Sequence, residues 1–249
     1  MISKKLISRM RHTAVVALFG VLSAGSASAA LLDAFSNGGF EGYVGNKNSF
    51  NGATPPGWTT TAGTPDVFNA GTTMNNFAWV ASSTGGDFLH GIGWDGRASP
   101  YVESALQVGL TGLVIGQQYE ISFEQSISNS AFSDGGGYWE VVFGTESHNG
   151  ALMNLPALGT AAGWAWQTMF FTATNTIQTL EVIAHSNPAT SSLRADLGID
   201  GFFLGDPGTN PDNPPDNPPN NNVPEPYSLA LVGIGLAGLA TVRRKKLAS

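Results

Sequence analysis

The 249-residue chain has no cysteine. That excludes a disulfide framework, thiolate zinc sites, iron–sulfur clusters and cysteine nucleophiles. Its stability must come from an apolar core, with a bound metal as the other available staple. Charge is scarce as well, at 12% of residues, and positive charge is scarcer where it matters. Lys4, Lys5, Arg9 and Arg11 lie near the start, and Arg243, Arg244, Lys245 and Lys246 lie in the last seven residues. Only Lys47, Arg97 and Arg194 remain between residues 31 and 242, against all eighteen acidic residues, a net charge of −15. A field of that sign repels phosphate backbones and argues against nucleic acid as a partner; it favours solubility and divalent cations.

Further absences narrow the chemistry. No stretch of residues 31–206 keeps an apolar period of 3.6, so long amphipathic helices are not expected. The histidines of that region, His90, His148 and His185, include no His-x-x-x-His pair of metal-ligand spacing. No Gly-x-Ser-x-Gly elbow occurs. Paired carboxylates for glycoside hydrolysis stay open, because the fold and not the spacing sets their separation.

What is present is glycine, 32 residues of it, with 42% apolar and 10% aromatic residues. Short runs alternate apolar and polar between Gly, Asn, Pro and Ser breaks. The clearest places Tyr119, Ile121, Phe123 and Ile127 on one face and Glu120, Ser122, Glu124 and Ser126 on the other. That pattern predicts a strand with one buried and one wet face. Further strands are predicted at 77–81, 88–92, 102–108, 138–143, 166–173, 179–185 and 199–204. About eight short strands separated by turns predict an all-β, two-sheet sandwich over residues 31–206.

The two ends read as targeting segments. Residues 1–12 are basic, residues 13–22 are uncharged and apolar, and Ala27-Ser28-Ala29 follows as a small-x-small cleavage site. This order predicts a secretory signal peptide over 1–30 and a mature chain beginning near Ala30 or Leu31. Residues 207–223 hold six prolines and six asparagines in seventeen positions. They predict a disordered spacer, able to reach roughly 50 Å at about 3.1 Å per residue. Residues 227–242 carry no charge and run directly into Arg243, Arg244, Lys245 and Lys246. The segment predicts a single transmembrane helix, slightly short, stopped by a cation cluster that stays in the cytoplasm.

Pro224-Glu225-Pro226, the apolar segment after it and the terminal cation cluster together resemble the PEP-CTERM sorting signal of Gram-negative bacteria. On that resemblance residues 224–249 form the sorting signal. Signal peptidase and an exosortase are then the processing enzymes. The resemblance implies an intermediate anchored in the inner membrane, cleavage near Pro-Glu-Pro, and delivery to the cell surface or extracellular matrix.

Residues 31–206 resemble the galactose-binding-like jelly rolls that include many carbohydrate-binding modules. The resemblance is carried by Asn37-Gly38-Gly39-Phe40-Glu41, Pro56-Gly57-Trp58, Ala105-Leu106-Gln107-Val108, Gly116-Gln117-Gln118-Tyr119-Glu120-Ile121-Ser122-Phe123, Trp166-Gln167 and Ile199-Asp200-Gly201-Phe202-Phe203-Leu204. Two positions depart from the pattern: Gly201 replaces the second acidic residue of the last strand, and Ile115 replaces a proline. The resemblance implies a structural Ca2+ held by Glu41 and Asp200, with carbonyls near Asn37 and Gly39; the alternative is that both are solvated or capping carboxylates. It also implies an all-β jelly roll and a sugar ligand.

Sugars stack on exposed aromatic faces while neighbouring polar groups bind their hydroxyls. Trp94, Asp95 and Arg97 on one predicted loop, Tyr138 and Trp139 on a second, and Trp164 on a third are the candidate ligand contacts. Trp58, Trp79 and Trp166 fall at strand-like positions and are expected in the core. Three functions remain distinct: a non-catalytic exopolysaccharide or biofilm protein that binds carbohydrate, a purely structural or adhesive matrix protein, and a polysaccharide-active hydrolase. Aromatics gathered in one concavity would favour the first, and scattered or buried rings the second.

Overall fold

The computed structural model describes residues 35–74, 77–130, 133, 135–187 and 194–212. The predicted signal peptide, residues 213–223 of the spacer, Pro224, Glu225, Pro226, the predicted membrane helix and Arg243 to Lys246 lie outside them. All regular structure among the described residues is β. The strands are β1 Thr59–Ala62, β2 Asp66–Asn69, β3 Thr73–Met74, β4 Phe77–Ala78, β5 Asp87–Trp94, β6 Tyr101–Val102 and β7 Ser104–Leu110. They continue as β8 Gln118–Ser128, β9 Gly136–Phe143, β10 Glu146–Asn149, β11 Met153–Asn154, β12 Ala165–Thr172, β13 Gln178–Asn187 and β14 Ala195–Gly205.

One sheet runs β1-β7-β13-β9-β10, with β11 beside β9. The other runs β12-β8-β14-β5-β2, with β6 beside β5, and β3-β4 is a separate hairpin. Every strand pair is antiparallel. From β7 onward the chain alternates between the two sheets, through β8, β9, β12, β13 and β14. That alternation is jelly-roll connectivity.

The first sheet follows the simple pattern. Leu180, Val182 and Ala184 of β13 and Trp139, Val141 and Phe143 of β9 point inward, while Glu181, His185, Tyr138 and Glu140 face out. The second sheet does not. The polar face of β8, expected to be wet, is buried: Glu120, Ser122, Glu124 and Ser126 are each 4% exposed or less. Loops cover this face, and the polar side chains satisfy them. Glu124 Oε2 accepts from the Ser83 amide and hydroxyl at 2.7 and 2.8 Å, and Ser126 donates to the Ala162 carbonyl at 2.8 Å. Gly208 N donates to Glu120, and Asn210 Nδ2 donates to Ser122 at 2.7 Å. Residues 207–210, read from the sequence as the start of the spacer, therefore fold back onto β8. Burial of Glu120, Ser122, Glu124 and Ser126 is tolerated because each of these four has a partner.

The covered face carries its own aromatic cluster of Phe68, Trp79 and Phe88, with Trp164 packed against it. On the other side of the sheet, β5 meets β13 without bulk between them. A Cβ on Gly93 would lie 2.3 Å from the His185 carbonyl carbon, and one on Gly91 would lie 2.6 Å from the Trp139 ring. Two glycines in a strand interior are thus spent on close sheet-to-sheet approach.

The predicted 102–108 strand is two strands. Tyr101 and Val102 pair with β5, whereas Ser104 onward pairs with β13. Glu103 is the crossing point: its amide donates to the Ile92 carbonyl at 3.0 Å and its carbonyl accepts from Ala184 N at 3.0 Å. The segment around Gly38 is tied to the last strand, because Phe202 N donates to the Gly38 carbonyl at 3.0 Å. Phe40 packs on Trp58 at 4.7 Å between ring centroids and against Phe202 at 5.9 Å.

Candidate functional site

At one end of β5, on the covered face of its sheet, lies a cavity of about 480 Å³. Phe50, Trp94 and Tyr101 supply its aromatic surface, and Asp66 and Glu103 its acidic one. Arg97 and Arg194 also line it, and they are the only arginines between residues 31 and 242.

The acidic surface is built by strand pairing. Asp66 of β2 sits opposite His90 of β5, so both side chains share one face. Asp66, His90 and Glu103 are each 1% exposed. Asp66 Oδ1 accepts from the Asn51 and Gly52 amides at 2.6 and 2.8 Å, which holds the segment bearing Phe50 against β2. Asn51 pairs with both backbone groups of Val67, at 2.9 and 3.1 Å, and so caps the edge of β2. Glu103 Oε2 accepts from Ile92 N at 2.8 Å, and its Oε1 accepts from the Tyr101 hydroxyl at 2.7 Å.

His90 stands between carboxylates, with Nδ1 3.3 Å from Asp66 Oδ2 and Nε2 3.5 Å from Asp196 Oδ1. Burial disfavours its charged form, but hydrogen bonds to Asp196 and Asp66 and the charges of both outweigh burial and raise its pKa to about 9. His90 is an imidazolium at neutral pH, stacked on Phe68 at 4.5 Å. Burial pushes the Glu103 carboxyl up, opposed by the charge of His90 and the hydrogen bond from Tyr101. Asp66, His90 and Glu103 also offer ligand atoms within 4.8 Å of one another, a nitrogen–oxygen set suited to zinc or manganese. A metal there would have to displace the proton of His90.

The rim is electropositive. The Arg97 guanidinium lies 4.8 Å from the centroid of Trp94, and that of Arg194 lies 5.6 Å from Phe50. Each cation lies over the face of a ring, within cation–π range. Arg194 Nε also reaches Asp196 at 3.2 Å.

The ligand contacts expected from the sequence do not converge as a group. Trp94 and Arg97 line the cavity. Asp95 turns the other way: its Oδ1 meets His185 Nδ1 at 2.8 Å, and its Oδ2 accepts from the Ser186 amide at 2.6 Å. Tyr138 stacks on that His185 at 5.2 Å, on the outer face of the first sheet. Trp164 packs edge-on against Phe88 at 5.0 Å and donates to the Val80 carbonyl at 2.8 Å. Trp139, placed on a loop by the sequence, is a core residue of β9. Trp58 and Trp79 are buried as expected, but Trp166 is only half-buried.

Glu41 and Asp200 both bond to residues of the 82–87 segment. Glu41 accepts from Asp87 N at 2.8 Å. Asp200 accepts from the Ser82 hydroxyl, from Thr84 at 3.1 Å and from Gly201 N at 2.7 Å. The carboxylate opposite Asp200 in the sheet is Glu124. Burial, together with the charge of Glu124, raises the Asp200 pKa to about 7 against hydrogen bonds from Ser82, Gly201 and Thr84.

Phe50, Asp66, Tyr101, Glu103 and Arg194 carried no signal in local spacing. The one available clue was compositional: only two arginines in a strongly acidic domain.

Residues 222–245 match the PEP-CTERM protein-sorting motif. The tail is a PEP-CTERM motif. A PEP-CTERM motif implies export, handling by an exosortase, and a surface or extracellular destination. No curated protein matches the chain. Several solved structures resemble the sandwich. They include the CBM22-1 xylan-binding domain of Paenibacillus barcinonensis Xyn10C, at 17% identity, TM-score 0.36, over 60% of this chain and 85% of that one. A family 35 carbohydrate-binding module from Clostridium thermocellum follows at 10% identity, TM-score 0.37, over 60% and 93%. The K1 cleaved adhesin domain of Lys-gingipain from Porphyromonas gingivalis W83 matches at 10% identity, TM-score 0.39, over 64% and 96%. The chain spans 21% of the enzymatically active domain of tailspike protein 4 from bacteriophage CBA120, at 10% identity, TM-score 0.40, over 70% of this chain. No TM-score quoted reaches 0.5, and the jelly-roll assignment rests on the strand order.

Proposed function

We propose that this PEP-CTERM protein is a non-catalytic carbohydrate-binding protein of the Gram-negative cell surface or matrix, associated with exopolysaccharide and biofilm. An N-terminal signal peptide and a membrane-anchored intermediate precede exosortase cleavage in this reading. The observation that carries it is the cavity, where Phe50, Trp94 and Tyr101 stand beside the carboxylates of Asp66 and Glu103. Aromatic faces stack on pyranose C–H surfaces, and carboxylates accept hydrogen bonds from sugar hydroxyls. A structural calcium at Glu41 and Asp200 belongs to the same proposal, supported by the convergence of both carboxylates on loop 82–87. The test is a glycan array of the full chain, with Trp94→Ala and Tyr101→Ala as controls. Retention of a glycan by the parent, weakened at least tenfold in both variants, supports the reading. An empty array, or binding indifferent to both substitutions, rejects it.

A hydrolytic reading draws on one feature. Asp66 and Glu103 offer oxygens within 4.8 Å of each other beside an aromatic surface, and the Glu103 pKa is raised. Wall contacts hold both groups in place: Glu103 accepts from Ile92, Tyr101 and Thr64, and Asp66 from two backbone amides. Release of new reducing ends from a retained polysaccharide would establish hydrolysis, and retention without release would establish binding. A purely structural matrix protein is the outcome left by an empty array.

A further inference from the structure

Three lysine and arginine side chains serve the acidic domain, and their placement is uneven. Lys47 is consumed by Asp87, with both carboxylate oxygens at 2.5 and 2.6 Å. Arg97 and Arg194 come from sites far apart in the chain and line one cavity, Arg194 while donating through Nε to Asp196 at 3.2 Å. We propose that the ligand of this cavity is an acidic sugar, a uronate residue of an extracellular glycan, whose carboxylate is read by Arg97 and Arg194 at the rim.

The inference rests on the reading of the cavity as a sugar site and names the class of sugar. Both cations are arginines, whose planar guanidinium matches a carboxylate with two parallel N–H donors, as an ammonium cannot. Both are laid against rings, Arg97 on Trp94 at 4.8 Å and Arg194 on Phe50 at 5.6 Å. The ring contacts limit the positions each guanidinium can take, so less ordering is required when an anion arrives. The opposite surface fixes the orientation. Asp66 and Glu103 accept hydrogen bonds and repel a second anion, so the carboxylate of the ligand goes to the rim and its hydroxyls face the floor. The cavity volume of about 480 Å³ falls within the roughly 300–1,000 Å³ range of small-ligand pockets. The domain as a whole is negative, yet at physiological ionic strength screening confines distant acids to about 8 Å. A ligand carboxylate at the rim therefore answers to the groups beside it, first to Arg97 and then to Arg194, whose Nε already faces Asp196 while its other N–H donors remain for an anion.

The experiment is isothermal titration of the full chain with tetragalacturonate and with the same tetrasaccharide after carboxyl reduction. Arg97→Ala and Arg194→Lys are titrated beside the parent, and each thermal midpoint is recorded. Arg97 is exposed on a loop, so its variant tests the inference even if the Arg194 variant folds poorly. The expected result is binding of the acidic tetrasaccharide, at least tenfold weaker binding of the reduced one, and at least tenfold loss in Arg97→Ala with an unchanged midpoint. Equal or tighter binding of the reduced tetrasaccharide overturns the inference and leaves the sugar-site reading standing. So does acidic binding that ignores the Arg97 substitution. If neither tetrasaccharide binds and the glycan array is also empty, both readings fall.

Discussion

His185 Nδ1 lies 2.8 Å from Asp95 Oδ1, joining strand β13 of one sheet to the turn that follows β5 of the other. That turn carries Trp94 and Arg97, so a link between sheets also steadies the rim of the cavity. Its charge state is pH-dependent. Burial disfavours protonation of His185, but hydrogen bonds and charges of Asp95 and Glu140 prevail and raise its pKa. Burial likewise opposes ionisation of Asp95, and the bonds from His185 and Ser186 outweigh it and lower its pKa. The raised histidine contributes stability that is complete below its ordinary value of 6.5 and is lost as pH rises through the raised value. The lowered aspartate contributes stability present above 3.8 and lost as pH falls through the lowered value. Urea midpoints should therefore fall on both sides of a plateau. His185→Gln should flatten the alkaline side; an unchanged alkaline slope in that variant would discount the link.

Asp95→Ala removes the acceptor for His185 and for the Ser186 amide. Leaving such partners unsatisfied costs about 1–3 kcal/mol. Chemical denaturation should register that loss. Glycan affinity should drop with it although Asp95 itself does not line the cavity, because the Trp94–Arg97 turn loses its anchor.

Gly93→Ala is expected to be harmful despite the small change. The added carbon would stand 2.3 Å from the His185 carbonyl carbon and 2.5 Å from Ser186 N, both backbone atoms that cannot rotate away. Overpacking of this kind costs about 1–3 kcal/mol. A variant with an unaltered denaturation midpoint would show that the sheets do not meet so closely.

Trp139→Ala tests whether this tryptophan belongs to the core. The side chain is fully buried, and its Nε1 donates to the Gly198 carbonyl at 3.0 Å, bridging the two sheets. Truncating a buried large aromatic costs about 3–5 kcal/mol. The same change at half-buried Trp164 should cost less, and the two denaturation curves compare them directly.

Calcium at millimolar concentration should raise the thermal midpoint relative to chelator if Asp200 and Glu41 share an ion. Bound cation would also offset the charge of Glu124, which adds to burial in raising the Asp200 pKa. Identical melting curves in calcium and chelator would remove the ion from the description.

Intact mass of the protein recovered from its native host should lack residues 1 to about 29 and those after about Glu225. A mass that retains the tail would contradict exosortase processing.

The strands with a plain alternation were legible before any coordinates. Tyr119, Ile121, Phe123 and Ile127, like Leu180, Val182 and Ala184, announce an inward face, since side chains alternate at every residue of a strand. Short strands such as Thr59–Ala62 and Asp66–Asn69 were not. They are polar or too brief for a period, and they become strands only because β7 and β5 present open edges.

The tail, the all-β class and the acidic middle followed from the sequence alone, because each depends on local order or composition. An apolar segment stopped by cations works as an address through its own residues. A sugar cavity does not. Whether Glu120 and Glu124 are wet or buried depends on loops that arrive from elsewhere and supply donors. That Asp66, Tyr101, Glu103 and Arg194 meet depends on antiparallel register and on the change of sheet at Glu103. Those contacts are non-local, and no spacing along the chain encodes them; strand pairing and the crossing at Glu103 bring them together.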